Sequence, residues 1–263
     1  MVRAIALLDA LASGEDDSMS LSDLARAIGV PKSSTASIIA ALEHGGLVSR
    51  DNGGYALGRR LVELGGAYLS RSDRVREFYT ACAASPQLAG ETVRLWALGG
   101  RDAICLGRHD GHPAVRLTVN IGDRLPASVS AAGKAMLAQF DDPEVADAYH
   151  GQKAWPRLTA SSIASFDALL SDLAQTRERG YGLSVEEAQE SVIDLGVVVP
   201  SRGTRTATLG VSVTQHASTY TPQDAPALVA ALRAVAATLG NPMQGAPQAS
   251  AMEMSAASDR EEN

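Results

Sequence analysis

Apolar residues recur at helical spacing from the start of the chain. Ala4, Leu7, Leu8 and Leu11 share one face of a first helix, and Leu21, Leu24, Ala25 and Ile28 repeat the pattern at i, i+3, i+4 and i+7. Ser20 can cap this second helix, with Asp23 in capping-box position. Gly29 suits the residue just past its end, and Pro31 suits the first turn of a third helix. There Thr35, Ile38, Ile39 and Leu42 point inward, which leaves Lys32, Ser33, Ser34, Ala36, Ser37 and Ala40 outward. Gly45-Gly46 stops it. Residues 47–50 and 55–57 then pair across Asp51-Asn52-Gly53-Gly54, because Asn and Gly accept positive φ. This order of elements is that of a winged helix-turn-helix, which lays one helix in the major groove of DNA. The same elements also occur in plain α+β domains without that activity.

The pattern predicts a linker helix over 58–73, weakened at Gly65-Gly66 by about 1 kcal/mol per glycine against Ala. A further helix runs from Arg74 towards Pro86. From Glu91 the period changes to two, and residues 92–98, 103–108 and 115–119 read as a β-meander. Helices are expected over 130–140, 143–150 behind an Asp142 cap, and 165–179 before Gly180. Strands return at 181–184, 195–199 and 207–214, and a last helix covers 225–239. The fold class is therefore α+β: a winged helix-turn-helix at 1–57, the linker helix, and an α/β unit with a largely antiparallel sheet at 74–243. The Ala/Ser-rich, acidic stretch from Gln244 on reads as disordered.

Composition agrees with two domains. The chain has 263 residues, 45% of them hydrophobic, but only 4% aromatic, so its cores rest on aliphatic side chains. No apolar run approaches the ~20 residues of a membrane span. No basic-then-apolar leader opens the chain, and a cytoplasmic location is expected. Cys82 and Cys105 have neither disulfide-framework nor zinc spacing. The net charge is −7, and residues 1–70 carry six basic against eight acidic side chains. DNA-binding domains usually show a basic footprint. Here Glu15, Asp16 and Asp17 cluster in a loop that can face away from DNA, whereas Lys32, Arg50 and Arg59 gather about the third helix and the wing.

Further motifs carry a resemblance. The opening V-R-A-I-A-L-L-D-A-L (2–11) is followed by L-S-D-L-A-R-A-I-G-V-P-K-S-S (21–34) and then Y-A-L-G-R-R-L-V-E-L-G (55–65). Beyond them come Arg124-Leu125-Pro126 with A-G-K-A-M-L-A (132–138), T-R-E-R-G-Y-G (176–182) and Val211-Ser212-Val213-Thr214. In this order the chain resembles the IclR family of bacterial transcriptional regulators. The resemblance implies DNA binding by Lys32, Ser33, Ser34, Ala36, Ser37, Arg50 and Arg59 on a roughly palindromic operator. It implies a homodimer or homotetramer, with the first helix and the linker helix at the dimer interface, and a GAF-like effector domain. Relatives often carry a large basic or imidazole side chain near positions 36 and 37. Ala36 and Ser37 offer only a thymine-methyl contact and a single hydroxyl, which shifts weight to Ser33, Ser34 and DNA shape.

For the effector, the resemblance points to the Ser130-Ala131-Ala132 turn, apolar walls at Leu117 and Leu125, and Ser184, Ser212 and Thr214. Many relatives have Asp at the place of Ser184 and Cys ten residues later; here the later residue is Asp194. A buried carboxylate needs a donor, so the expected effector is an aromatic acid derivative bearing one: a hydroxy-aryl acid, amide or hydrazide. No cofactor or metal is expected, since the five histidines lack ligand spacing and Gly133-Lys134-Ala135 fails as a phosphate loop. Glu186, Glu187, Glu190 and Asp194 could be general acid/base groups, but read better as a solvated acidic loop before a strand. Two other functions fit the same elements: a metabolic enzyme whose N-terminal domain only mediates assembly, and a DNA-binding protein whose second domain is an inert dimerisation module.

Overall fold

The computed structural model describes residues 1–14, 17–51, 53–111, 119–152, 154–201 and 207–241. They form two compact units, Met1–Ser72 and a second that begins at Asp73.

The first unit runs α1 (Val2–Ser13), α2 (Leu21–Ala27), α3 (Lys32–His44), β1 (Val48–Asp51), β2 (Gly54–Leu57) and α4 (Arg60–Ser70). Leu7, Leu11, Leu24, Ile39 and Val48 make its core, and burying each such side chain contributes about 1.5–3 kcal/mol. Ser20 caps α2: its Oγ accepts the Asp23 amide at 3.2 Å, while its hydroxyl donates to Asp23 Oδ2 at 2.6 Å. The second half of the expected box is thus a side-chain bond. Pro31 stands one residue before α3, as its N-cap, and not within its first turn. The hairpin pairs Asp51 with Gly54 and Val48 with Leu57. Helix α4 buries none of its residues; Val62 is 77% exposed and Tyr68 61%.

The second unit contains α5 (Asp73–Ala84), β3 (Thr92–Gly99), β4 (Asp102–Asp110), β5 (Arg124–Pro126), α6 (Ala131–Leu137), α7 (Asp142–Tyr149), α8 (Phe166–Arg179), β6 (Gly182–Val185), β7 (Val192–Val199), β8 (Leu209–His216) and α9 (Ala225–Gly240). Its six-stranded sheet has the order β5-β4-β3-β8-β7-β6, and every neighbouring pair is antiparallel. Helices α5 and α9 cover one face, and α6 lies on the other. The meander strand expected over 115–119 falls mostly outside the described residues, as does the tail from Gln244. The cap of α7 is Asp141, not Asp142: Asp141 and Glu144 bond each other's amides reciprocally.

Helix α6 sits unusually close to the sheet, and the sequence allows it. A Cβ on Gly182 would fall 1.9 Å from the Ala131 carbonyl oxygen, and one on Gly196 2.4 Å from the Ala132 nitrogen. Only glycine lets backbone approach backbone in this way. The small Ala131 and Ala132, both fully buried, complete the fit.

Candidate functional site

In the first unit, the surface of α3 follows from its period. Thr35 and Ile39 are buried, and Thr35 Oγ1 donates to the Pro31 carbonyl at 3.1 Å. Lys32, Ser33, Ser34 and Ser37 are therefore exposed, and Ala36 is half-buried. The Ser37 hydroxyl donates to the Ser33 carbonyl at 3.2 Å, leaving its oxygen free as an acceptor. Arg50, on the wing, lies over the Tyr55 ring at 5.5 Å, a cation–π contact that restrains an exposed side chain. Arg50 and Arg59 both line an open groove of about 960 Å³ with His44, Gly46 and Arg60. The unit is acidic in total, yet a lysine and three arginines stand on or beside the α3–wing surface.

In the second unit, register brings the expected residues together. Ser184 pairs with Asp194, Asp194 with Thr214, and Gly196 with Ser212. All lie on the α6 face, because a Cβ on Gly196 would point at Ala132. Ser130 caps α6, its Oγ accepting the Gly133 amide at 3.2 Å. Ser184 Oγ donates to the Val129 carbonyl at 2.8 Å, which ties β6 to the residue before Ser130. Leu125 packs against the cluster of Trp96, Ala103, Cys105, Ala132 and Met136. Leu117 lies outside the described residues.

Two expectations change. Asp194 is buried, but Thr214 Oγ1 already donates to its Oδ1. Ser212 and Thr214 thus face the protein's own carboxylate, and no ligand donor is required to satisfy Asp194. Burial pushes the Asp194 carboxyl above the usual carboxylate range, while Arg94 and the two hydroxyls pull it back. Nor is the acidic stretch before β7 uniformly solvated. Glu187 is 8% exposed and accepts from Lys134 Nζ at 2.6 Å. The same ammonium donates to Leu183 O at 3.0 Å and Asp172 Oδ2 at 3.2 Å. Lys134 of the A-G-K-A stretch is therefore the centre of a buried ion cluster that fastens α6 to β6 and α8.

Arg94 and Trp96 were not anticipated. Strand alternation puts them opposite Val93 and Leu95, where a strand at a sheet surface would meet water. In the structure β3 is central, so both are buried, at 2% and 1% exposure. Arg94 Nη1 donates to Thr214 Oγ1 at 2.8 Å, and Trp96 Nε1 donates to Ser212 Oγ at 3.0 Å. The signal available in the sequence was an arginine and a tryptophan two apart in an otherwise apolar strand. Burial lowers the pKa of Arg94, and Asp194 offsets part of that. Burial also raises the Cys82 thiol to about 12 and the Cys105 thiol to about 11, so both stay protonated and pack as apolar groups. Among the described residues there is no cluster suited to a metal ion, and no helix is long and apolar enough to cross a membrane.

Comparison with known proteins covers both units. Residues 1–52 match the family model for the IclR helix-turn-helix domain, and residues 67–241 match that for the bacterial transcriptional regulator IclR C-terminal domain. The chain is 31% identical over 199 residues to the HTH-type transcriptional regulator XynR of Escherichia coli K12, covering 75% of this chain and 78% of that one. It is 30% identical over 191 residues to the transcriptional repressor IclR of the same organism, covering 71% and 69%. These relatives are named as regulators, not enzymes. Among solved structures, an IclR transcriptional regulator from Alicyclobacillus acidocaldarius superposes with a TM-score of 0.77 at 24% identity, covering 91% of this chain and 96% of that one. An IclR homologue from Microbacterium hydrocarbonoxydans, solved with 4-hydroxybenzoate, gives 0.71 at 22% identity, covering 90% and 97%. Both show the same fold.

Proposed function

The chain belongs to the IclR family of bacterial transcriptional regulators, and from that premise we propose that it is an effector-responsive regulator of a catabolic operon, bound to a roughly palindromic operator as a dimer or tetramer. In this reading α3 enters the major groove with Lys32, Ser33, Ser34, Ala36 and Ser37, while Arg50 and Arg59 hold phosphates beside it. The effector is a small organic acid, taken up on the α6 face of the sheet near Leu125, Ser130, Ala131, Ala132, Ser184, Asp194, Ser212 and Thr214. Effector binding then shifts the population of DNA-binding conformations through its different affinity for each.

The observation that carries the reading is the exposed, polar face of α3 beside a wing bearing Arg50, in a chain that matches the family in both units. Helix α4 supports oligomerisation. An isolated helix this short is marginal in water, and α4 has no buried residue among its eleven, so it calls for a partner surface. A gel-shift assay with DNA upstream of the protein's own gene tests the proposal. A retarded band that competitor DNA of unrelated sequence does not remove is expected; mobility equal to free DNA at every protein concentration would refute it. The ligand of the Microbacterium homologue makes 4-hydroxybenzoate the first compound for a thermal-shift panel.

A further inference from the structure

Arg94 occupies the centre of the α6 face, on the strand between β4 and β8, and is only 2% exposed. One of its terminal nitrogens, Nη1, is used on Thr214. The other two nitrogens, Nε and Nη2, are buried and meet no acceptor among the described residues. These two are not independent. In a planar guanidinium, Nε–H and Nη2–H lie along one edge and point in parallel. That edge matches the two oxygens of a carboxylate, the geometry of a bidentate arginine–carboxylate pair.

The protein's own acid does not fill this edge. Asp194 accepts from Thr214, and among the described residues no carboxylate oxygen comes within ion-pair distance of Arg94. Leaving charged donors buried and unmade is costly, and more so for an ionic group than for a neutral one. Folded proteins rarely keep such groups without a partner. The guanidinium is fixed in place by its neighbours. Arg94 is held through Thr214, Thr214 is paired in register with Asp194 and Thr92, and Trp96 is anchored on Ser212 two residues along the same face. The edge is thus built and held, and its natural occupant is a planar anion with two acceptor oxygens.

We propose that the Nε/Nη2 edge of Arg94 is the seat for the carboxylate of the effector. This rests on the reading of the second unit as an effector domain and sharpens its ligand class. The effector is a carboxylate recognised by its acceptors, and a donor group on it is no requirement. A primary amide of the same shape is rejected, because its NH₂ faces one of the two arginine donors.

The test uses the full chain with sodium formate, the smallest carboxylate, against sodium chloride at equal ionic strength and against neutral formamide. Formate should raise the melting temperature saturably, by about 3 °C near saturation, and should move one arginine Nε–H resonance in a proton–nitrogen spectrum. Formamide should do neither. Arg94→Lys keeps the charge, removes the planar edge, and should lose the formate response. Identical melting curves in formate and chloride for the unaltered chain would overturn the proposal, as would an undiminished response in Arg94→Lys. If Arg94→Lys does not fold, the resonance of the unaltered chain decides alone: movement supports the seat and no movement overturns it. Operator affinity separates the two layers. Carboxylates that fill the edge in the spectrum yet leave operator binding untouched confirm the seat and refute the effector reading.

Discussion

Lys134 and Arg94 are buried cations in the same unit, and the protein treats them in opposite ways. The Lys134 ammonium gives its hydrogens to Glu187, Asp172 and the Leu183 carbonyl, which uses all three donors. Arg94 has one nitrogen bonded to Thr214 and two without an acceptor among the described residues. The first cluster joins secondary-structure elements and satisfies its cation fully, although Glu187 Oε2 is itself without a donor among the described residues. The second is rigid but unfinished, and it faces the residues expected to hold an effector. The satisfied cation fastens the fold; the half-satisfied one is the basis of the proposed carboxylate seat.

That contrast can be broken in stages. Lys134→Met should be the most damaging change, because it strands Glu187 and Asp172 without their cation. Removing one partner of a buried ion pair costs about 3–5 kcal/mol, read as a lower urea midpoint for the second unit. Arg94→Met should cost less, about 1–2 kcal/mol, since it removes one made hydrogen bond and two unmade donors together. A loss equal to that of Lys134→Met would erase the distinction between the two clusters.

The Asp194→Asn variant probes the second cluster through pH. Burial raises the carboxyl above its ordinary value of 3.8. Below that value the folded and unfolded chains both hold the proton, and its stabilising contribution is fully present. As pH rises through the folded-state pKa, the contribution is lost. The side-chain amide of the variant has no such proton to lose. The melting temperature of the variant minus that of the unaltered chain should therefore grow as the pH is raised from about 4. A difference that stays constant or shrinks would show that Asp194 is held as a stable anion. The smallest structural effect is expected from Lys32→Ala on exposed α3. Stability should be unchanged within about 0.5 kcal/mol, while operator binding weakens and its salt slope falls by about 1.

Helix α3 was legible in the sequence because its in/out pattern is local: Thr35, Ile38, Ile39 and Leu42 recur with the helical period, and the exposed serines are what remains. Ser212 and Thr214 were legible for the same reason with a period of two. The buried charges were not. Glu187 stands among Glu186 and Glu190 and looks solvated; its partner Lys134 lies 53 residues away. Arg94 meets Thr214 across 120 residues. Whether a polar side chain in a strand faces water or core depends on which strands flank it, and local spacing carries no record of sheet order. The missed residues are thus the ones whose environment is made wholly by register between distant segments.

Helix α4 has a consequence for how the molecule should be handled. None of its eleven residues is fully buried, and only Leu61 and Leu69 are half-buried, so packing within a single subunit protects it little. On the proposed assembly through α4, its order becomes a function of concentration. Dilution should unwind residues 60–70 as surely as a proline would, with faster amide exchange there while the cores of both units stay protected. An operator affinity measured at trace protein would then contain the cost of rebuilding that helix, and two laboratories working at different dilutions would report different proteins.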